Sequence, residues 1–459
     1  MRMTRRSLLA TPLACAAQPV RPNVLLILID DLGYGDVAFN GGDIPTPNLD
    51  RIAREGTVAT QFTCYPLCTP SRAGLLTGRS PIRQGLMYSV IRAWSPYGLP
   101  ANERLLSSIL RDQGYSTAIV GKWHLGHAHR SLLPNQRGFD HFYGHVNAEI
   151  DYFQHTKFTG LDWQRNGKGV REPGYATELL GNEAVSWLNS RPANRPYFLY
   201  LPFNAVHAPM QAPPEAIERF QSIADPKRRA LAAMLRVVDV QTGRLLEAVE
   251  RRGETNNTLV LLISDNGGAT ANGSRNLPFR GAKLTPYEGG LRVPAAFRWP
   301  GRIPAGKTTD EWLTVLDVLP TVCEAAGVQP GSSLPLDGSS FWPTLTKAAP
   351  HRPAPFFVAC KKNETLDYQF ALRTDSWKLI RTVNPKQEVV EELYELSADP
   401  AESRNLVSAA PPILASLREQ MESWNRLHPR ADIDSSMNPH PGWTPPADYA
   451  ALASAYDPA

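Results

Sequence analysis

At 459 residues the chain can bury a sizeable core, and its length suggests two or three structural units. A composition of 42% hydrophobic and 20% charged residues excludes the disordered and fibrous classes. The formal charge of +4 includes Arg2, Arg5 and Arg6 of the first 17 residues, so the remainder sits near +1 (4 minus 3). That is too weak for a nucleic-acid partner, and any preference for anions must come from local charge.

Residues 1–17 read as an export signal. Arg5 and Arg6 precede Ser7, Leu8 and Leu9 in a twin-arginine pattern, and a modestly apolar run follows to Ala17. Ala14, Ala16 and Ala17 suit cleavage, while Cys15 offers a lipid anchor as the alternative, with Pro12 against it. Either route makes the protein periplasmic or secreted. No other stretch approaches the ~20 apolar residues that span a bilayer.

Asn23 to Ile29 is a continuous apolar run, as in a parallel strand buried on both faces, and Gly33 and Gly35 suit the turn beyond it. The pattern recurs at Ser116 to Val120, Tyr197 to Phe203 and Thr258 to Ser264. Helical stretches lie between, marked by Leu105, Leu106, Ile109 and Leu110, and by the stripe from Leu231 to Val249. This alternation predicts an α/β main unit over residues 22–345, a mostly parallel sheet sandwiched by helices, with ligands beyond the carboxyl ends of its strands. After Pro350 to Pro355 come four short strand-like runs between Phe356 and Leu396, and then an amphipathic helix over 412–427. These predict a smaller C-terminal α+β subdomain over 351–428 with a short antiparallel sheet. Residues 429–459 read as an extended, proline-rich tail. Cys323 and Cys360 either pair or remain buried thiols.

Candidate chemistry gathers at the strand ends. Asp30 and Asp31 end the first strand, and Asp265 and Asn266 end a later one. Adjacent acids are more often a solvated turn or helix cap. Together at the ends of parallel strands, three carboxylates and an amide are hard oxygen donors that suit Ca²⁺ or Mg²⁺ better than zinc. Cys68 opens the string CTPSRAGLLTGR, where Arg72 is placed to activate a nucleophile. In isolation such a cysteine is more often a buried thiol in a turn.

The string Cys68 to Arg79 resembles the sulfatase signature, Cys-x-Pro-Ser-Arg followed by Leu-Thr-Gly-Arg. The similarity continues in order through GKWHLG (Gly121 to Gly126), GFDHFYG (Gly138 to Gly144), SDNGG (Ser264 to Gly268), YEGGLRVP (Tyr287 to Pro294) and ELYELSADP (Glu392 to Pro400). On these motifs the chain is identified as a member of the formylglycine-dependent sulfatases, with an alkaline-phosphatase-like fold. The resemblance implies that Cys68 is oxidised to formylglycine by a separate maturation enzyme. It implies a calcium ion held by Asp30, Asp31, Asp265 and Asn266 beside residue 68. It also places Arg72 on the formylglycine and Lys122, His124, His207 and Lys283 in the sulfate pocket. In the implied reaction a formylglycine hydroxyl attacks sulfur, Lys122 and Lys283 neutralise the sulfuryl oxygens, His207 protonates the leaving alcohol, and His124 is the base that lets sulfate depart.

Ala282 and Pro286 depart from the Gly and Thr often found near the pocket lysine, which leaves Lys283 in place. The stretch His141 to Lys168 is rich in aromatic and basic residues, suited equally to contacting sugars and to packing a lid. Its IDYFQH element resembles N-acetylgalactosamine-sulfate sulfatases, which makes His145, Asp151 and His155 candidate sugar contacts and a sulfated glycan the expected substrate. The rival readings are a phosphodiester or phosphonate monoester hydrolase of the same superfamily, and a catalytically silent glycan-binding relative.

Overall fold

The computed structural model describes residues 21–331, 334–361, 367–429 and 438–455. The export signal with Cys15, and residues 430–437 and 456–459 of the expected tail, lie outside the described residues.

In chain order the strands begin with β1 (Asn23–Ile29), β2 (Thr57–Thr63), β3 (Ser116–Lys122) and β4 (His141–His145). Four two-residue pieces follow: β5 (Thr156–Lys157), β6 (Gly160–Leu161), β7 (Gln164–Arg165) and β8 (Lys168–Gly169). Next come β9 (Tyr197–Phe203), β10 (Thr258–Ser264), β11 (Ala295–Arg298) and β12 (Lys307–Thr314). The last are β13 (Phe356–Lys361), β14 (Tyr368–Arg373), β15 (Trp377–Val383) and β16 (Val389–Glu395).

Ten strands make one sheet in the order β12-β2-β11-β10-β1-β9-β3-β4-β7-β8. Its centre, from β10 through β1, β9 and β3 to β4, is parallel throughout. Antiparallel β11 on one side and β7 and β8 on the other flank that centre. Every residue of β1, β3, β9 and β10 is buried, which explains sequences that are continuously apolar instead of alternating.

The pleat divides the core in two. Val24, Leu26 and Leu28 pack with Leu75, Leu76, Leu106 and Val318 on one face. Leu25, Ile27 and Ile29 pack with Leu49, Leu180, Leu231 and Leu235 on the other. Helices thus cover both faces, and all strand ends of the parallel centre open at one edge. The long helix Pro226–Arg251 starts where its sequence says it should, with Asp225 accepting from the Lys227 N–H and Pro226 at the first position.

Strands β13 to β16 form a separate antiparallel sheet, crossed by the helix Ile413–Asn425, which buries Leu414, Leu417 and Met421. Its core is continuous with that of the main sheet through Phe356, Phe357 and Val358. β16 begins three residues before Glu392, the start expected from sequence; its exposed Val389 and Val390 carry no burial pattern to announce it. The expected extended tail contains the helix Tyr449–Ala455, with Tyr449 fully buried. Cys64, Cys68, Cys323 and Cys360 are all buried thiols outside any disulfide, so Cys323 and Cys360 do not pair. Among the described residues no helix is long and apolar enough to cross a membrane.

Candidate active site

The chain leaves β1 at Asp30 and Asp31, β3 at Lys122, β9 toward His207, and β10 at Asp265 and Asn266. These strands are consecutive in the sheet, in the order β10-β1-β9-β3, so residues up to 236 positions apart meet at one edge (266 minus 30). Glycine permits the approach. Gly121, at φ +138°, would place a Cβ 2.0 Å from the Pro202 carbonyl oxygen, and Gly267 would place one 2.0 Å from that of Gly289. Any side chain at either position would push the strand ends apart.

Cys68 is the first residue of the helix Cys68–Thr77, buried from end to end. Its thiol lies 3.5 Å from Asp30 Oδ1 and 3.7 Å from Lys283 Nζ. Burial, and then the Asp30 carboxylate, push the thiol pKa well up, so the unmodified side chain stays protonated. One helical turn on, Arg72 donates from Nε and Nη2 to Asp265 Oδ2 at 3.1 and 2.8 Å, from Nη2 to Asp30 Oδ2 at 3.0 Å, and from Nη1 to the Lys122 carbonyl at 2.9 Å. The sequence reading put Arg72 on residue 68 itself. Its hydrogen bonds go to the carboxylates and the carbonyl behind, and it bears on Cys68 through Asp30.

Lys122 pairs with Asp30 Oδ2, and Lys283 with Asp31 Oδ1 at 2.7 Å. Burial alone would raise the Asp30 carboxyl, but Lys122 and then Arg72 hold it far below the carboxylate range. Asp265 goes the other way, because burial and the Asp30 charge outweigh Arg72. Burial would lower the Lys283 ammonium, yet Asp31 raises it. Three carboxylates thus face three cations in a dry site.

The two histidines are fixed by backbone carbonyls. His124 Nε2 lies 2.9 Å from the Ile91 oxygen, while its buried Nδ1 has no partner. Since a carbonyl only accepts, Nε2 carries the proton and Nδ1 keeps its lone pair. Burial, then Lys122 and Arg72, hold this imidazole well below its ordinary pKa and neutral. His207 Nδ1 lies 2.7 Å from the Ala208 oxygen, which leaves Nε2 facing Asp31 Oδ2 at 3.7 Å.

Ligand atoms of Asp30, Asp31, Cys68 and His207 all fall within 4.8 Å of one another. Asn266 donates from Nδ2 to Asp31 Oδ1 at 2.8 Å, and its buried Oδ1 has no partner. An orphaned amide oxygen beside two carboxylates fits a hard divalent cation, which supplies what that oxygen lacks. Asp265 stands behind, with Oδ1 accepting from the Asp31 N–H at 3.2 Å and Oδ2 from Arg72.

The site opens into a cavity of about 400 Å³ lined by Cys68, His124, His207 and Lys283. Sequence reasoning did not find Arg92, Glu149, Tyr88 and Lys361, which also line it. They stand alone in the chain, outside any motif, and only their convergence marks them. The three candidate sugar contacts are not on its wall. His145 is fully buried beside Lys122 at the end of β4. His155 stacks on Trp163 with centroids 4.7 Å apart and meets the Gly174 carbonyl at 3.1 Å. Asp151 accepts from the Phe153 and Gln154 N–H groups and from Gln211 Nε2, closing a turn. These three side chains are engaged in local packing and turn contacts, while Phe153 and Phe158 of the same stretch stay exposed.

A mostly parallel sheet with a cysteine-headed helix and an acidic cluster at its carboxyl edge places the chain in the alkaline-phosphatase-like class. Within it, the chain belongs to the sulfatase family: the sulfatase family model matches residues 22–328, and that of the N-sulphoglucosamine sulphohydrolase C-terminal region matches 282–426. It is 34% identical to arylsulfatase J of Mus musculus over 82% of this chain and 66% of the relative. It is 36% identical to N-acetylgalactosamine-6-sulfatase of Mus musculus over 74% of this chain and 69% of the relative. The chain therefore spans about two thirds of the length of these curated relatives. The solved structure of Ps i-CgsB superposes with a TM-score of 0.83 at 33% identity, covering 90% of this chain and 94% of the other. That protein has also been solved with k-i-k-neocarrahexaose. The phosphonate monoester hydrolase of Agrobacterium radiobacter, at 20% identity and a TM-score of 0.63, shares the fold alone.

Proposed function

We propose that this protein is an exported sulfatase that hydrolyses sulfate monoesters of glycans. The observation that carries the reading is the convergence of buried Asp30 and Asp31 on Cys68 and Lys283, which line one cavity, with an unsatisfied Asn266 oxygen beside them. Asp30, Asp31, Asn266 and the oxidised side chain of residue 68 would hold a calcium ion, with Asp265 supporting them; magnesium, smaller and stricter in geometry, suits the site less. Conversion of Cys68 by a maturation enzyme supplies an oxygen nucleophile, and calcium when bound supplies positive charge against the sulfate.

The chain's own residues account for the remaining work. Lys283, partly open to the cavity, and Lys122 behind it neutralise the sulfuryl oxygens. His207 donates from Nδ1 to the Ala208 carbonyl, so Nε2 of its imidazolium form is the atom that hands a proton to the departing alcohol. His124, held neutral with a free Nδ1 lone pair, is the base for the second half of the cycle. Arg72 helps keep Asp30 ionised and holds both Asp30 and Asp265 in place in a dry interior. The resemblance to N-acetylgalactosamine-6-sulfatase supports a sulfated amino sugar as the substrate.

The test is a kinetic comparison on protein co-produced with a formylglycine-generating enzyme. Aryl sulfate should be cleaved with a higher kcat/KM than aryl phosphate or phosphonate esters, and the Cys68 peptide should carry the mass of the aldehyde. A preference for phosphonate would move the protein to the rival class, and an unmodified thiol in the native host would remove the nucleophile.

A further inference from the structure

The catalytic cavity has an aromatic neighbour. A second cavity of about 370 Å³ is lined by Tyr88, Ser89, Tyr97, Tyr368, Phe370 and His428 among others. Tyr88 and Ser89 line the catalytic cavity too, so one short loop is the wall between them. The opposite side belongs to the C-terminal sheet, through Tyr368 and Phe370 on β14. Lys361, at the end of β13, stands at the junction: it lines the catalytic cavity, and its ammonium lies 5.4 Å from the centre of the Tyr368 ring.

These rings are held, not loose. The Tyr88 hydroxyl donates to Asn425 Oδ1 at 2.6 Å, and the Lys361 N–H donates to the Tyr88 carbonyl at 3.2 Å. Tyr368 and Phe370 lie nearly parallel, 15° apart, and Tyr88 meets both edge-on at 88° and 90°. Tyr368 nonetheless stays 37% exposed. Fixed aromatic faces with a cation at their rim suit a ring that is apolar on its C–H face and carries a negative substituent. The volume falls in the ~300–1,000 Å³ range of small-ligand sites.

We propose that this second cavity is the subsite for the sugar adjoining the sulfated one, with Tyr368 and Tyr88 packing against that ring and Lys361 meeting its carboxylate or sulfate. The inference rests on the sulfatase reading and sharpens it: the substrate is an oligosaccharide, and the C-terminal sheet takes part in choosing it.

The probe is a tetrasaccharide with a sulfated N-acetylgalactosamine at its non-reducing end, compared with the sulfated monosaccharide and 4-nitrophenyl sulfate, on fully matured protein. Tyr368→Ala should lower kcat/KM for the tetrasaccharide about tenfold, the scale of one lost aromatic contact, and leave both small substrates within about twofold. Tyr368→Phe should restore the tetrasaccharide rate, because it keeps the ring face. Equal loss on all three substrates, or no loss on any, overturns the subsite. Calorimetric titration with the desulfated tetrasaccharide separates this idea from the one beneath it. If the wild type releases no sulfate from any substrate, the sulfatase reading fails; if the desulfated chain then binds wild type and Tyr368→Ala equally, the subsite fails as well. Binding that is lost only in Tyr368→Ala upholds it.

Discussion

Two buried ionic clusters in this molecule look alike and differ in kind. At the carboxyl edge of the parallel strands, Asp30, Asp31 and Asp265 face Arg72, Lys122 and Lys283. Between the two sheets, Glu288 of the YEGG motif lies within 2.7 Å of Lys378 and 3.5 Å of Arg373, and Lys378 also meets Glu402 at 2.8 Å. The side chains of this second cluster are fully buried. Arg373 carries on to β2, reaching Thr63 and, at 3.1 Å, Gln61 Oε1, and it stacks over Trp312 at 4.7 Å. That cluster joins the C-terminal sheet to the main one and touches no cavity described here. The cluster proposed as catalytic opens on one side and keeps an orphaned amide oxygen, a thiol and a free imidazole lone pair. The second cluster also holds an orphaned atom, Arg373 Nε, so neither buried charge nor an unsatisfied group marks a site by itself; the opening onto a cavity does.

The comparison breaks most sharply at residue 68. Cys68→Ala should reduce sulfate release on the order of 10⁴-fold or more while leaving the unfolding midpoint nearly unchanged, because it removes the nucleophile and little else. A modest drop in turnover would return the catalytic cluster to a structural role. In the second cluster the effects should be reversed. Lys378→Met leaves Glu288 and Glu402 buried without their shared cation and should cost about 3–5 kcal/mol of stability in a denaturant titration. The kcat/KM of the protein that stays folded should hold within a few-fold. If kcat/KM collapses instead, the two clusters are coupled and the distinction is lost.

Asp162 sharpens the contrast from a third direction, as a buried carboxylate held only by N–H groups. It accepts from the Val146 and Asn147 backbone and from Asn147 Nδ2, each at 2.9 Å. Burial nevertheless raises its pKa from 3.8 to about 6. With the folded value above the unfolded one, its stabilising contribution is complete below about pH 4 and is lost as pH rises through 6. The loss between pH 3 and pH 8 amounts to about 3 kcal/mol. Asp162→Asn cannot ionise, so its stability relative to wild type should improve by that amount across the same interval. A difference that does not vary with pH would show that Asp162 ionises normally. Calcium gives the smallest effect: at a hundredfold excess over Kd the ion should add about 2.7 kcal/mol, read as a rise in Tm that a chelator reverses. No shift would remove the proposed metal from the folded site.

Much of the architecture was legible in the chain. Continuous apolar runs identified β1, β3, β9 and β10 because a strand buried on both faces has no alternative composition. Asp30, Asp31, Asp265 and Asn266 could be placed at strand ends for the same reason. Helical periodicity located Pro226–Arg251, and motif order led to Cys68, Lys122, His124, His207 and Lys283. β11, only four residues long, passed unnoticed, and β16 was expected three residues late because its first residues are exposed.

Sequence by itself determined the parallel core, the chemical types at its carboxyl edge and the family, since these are written in local patterns and short strings. Tertiary structure alone decided that Arg72 bonds the carboxylates behind residue 68, that His145 and His155 are packed away from the cavity, and that Tyr88, Lys361 and Tyr368 wall adjoining spaces. These facts depend on contacts between residues up to hundreds of positions apart, and such contacts leave no periodicity in the chain. Side-chain direction and closure of the opening are set by packing, which is a property of the whole fold.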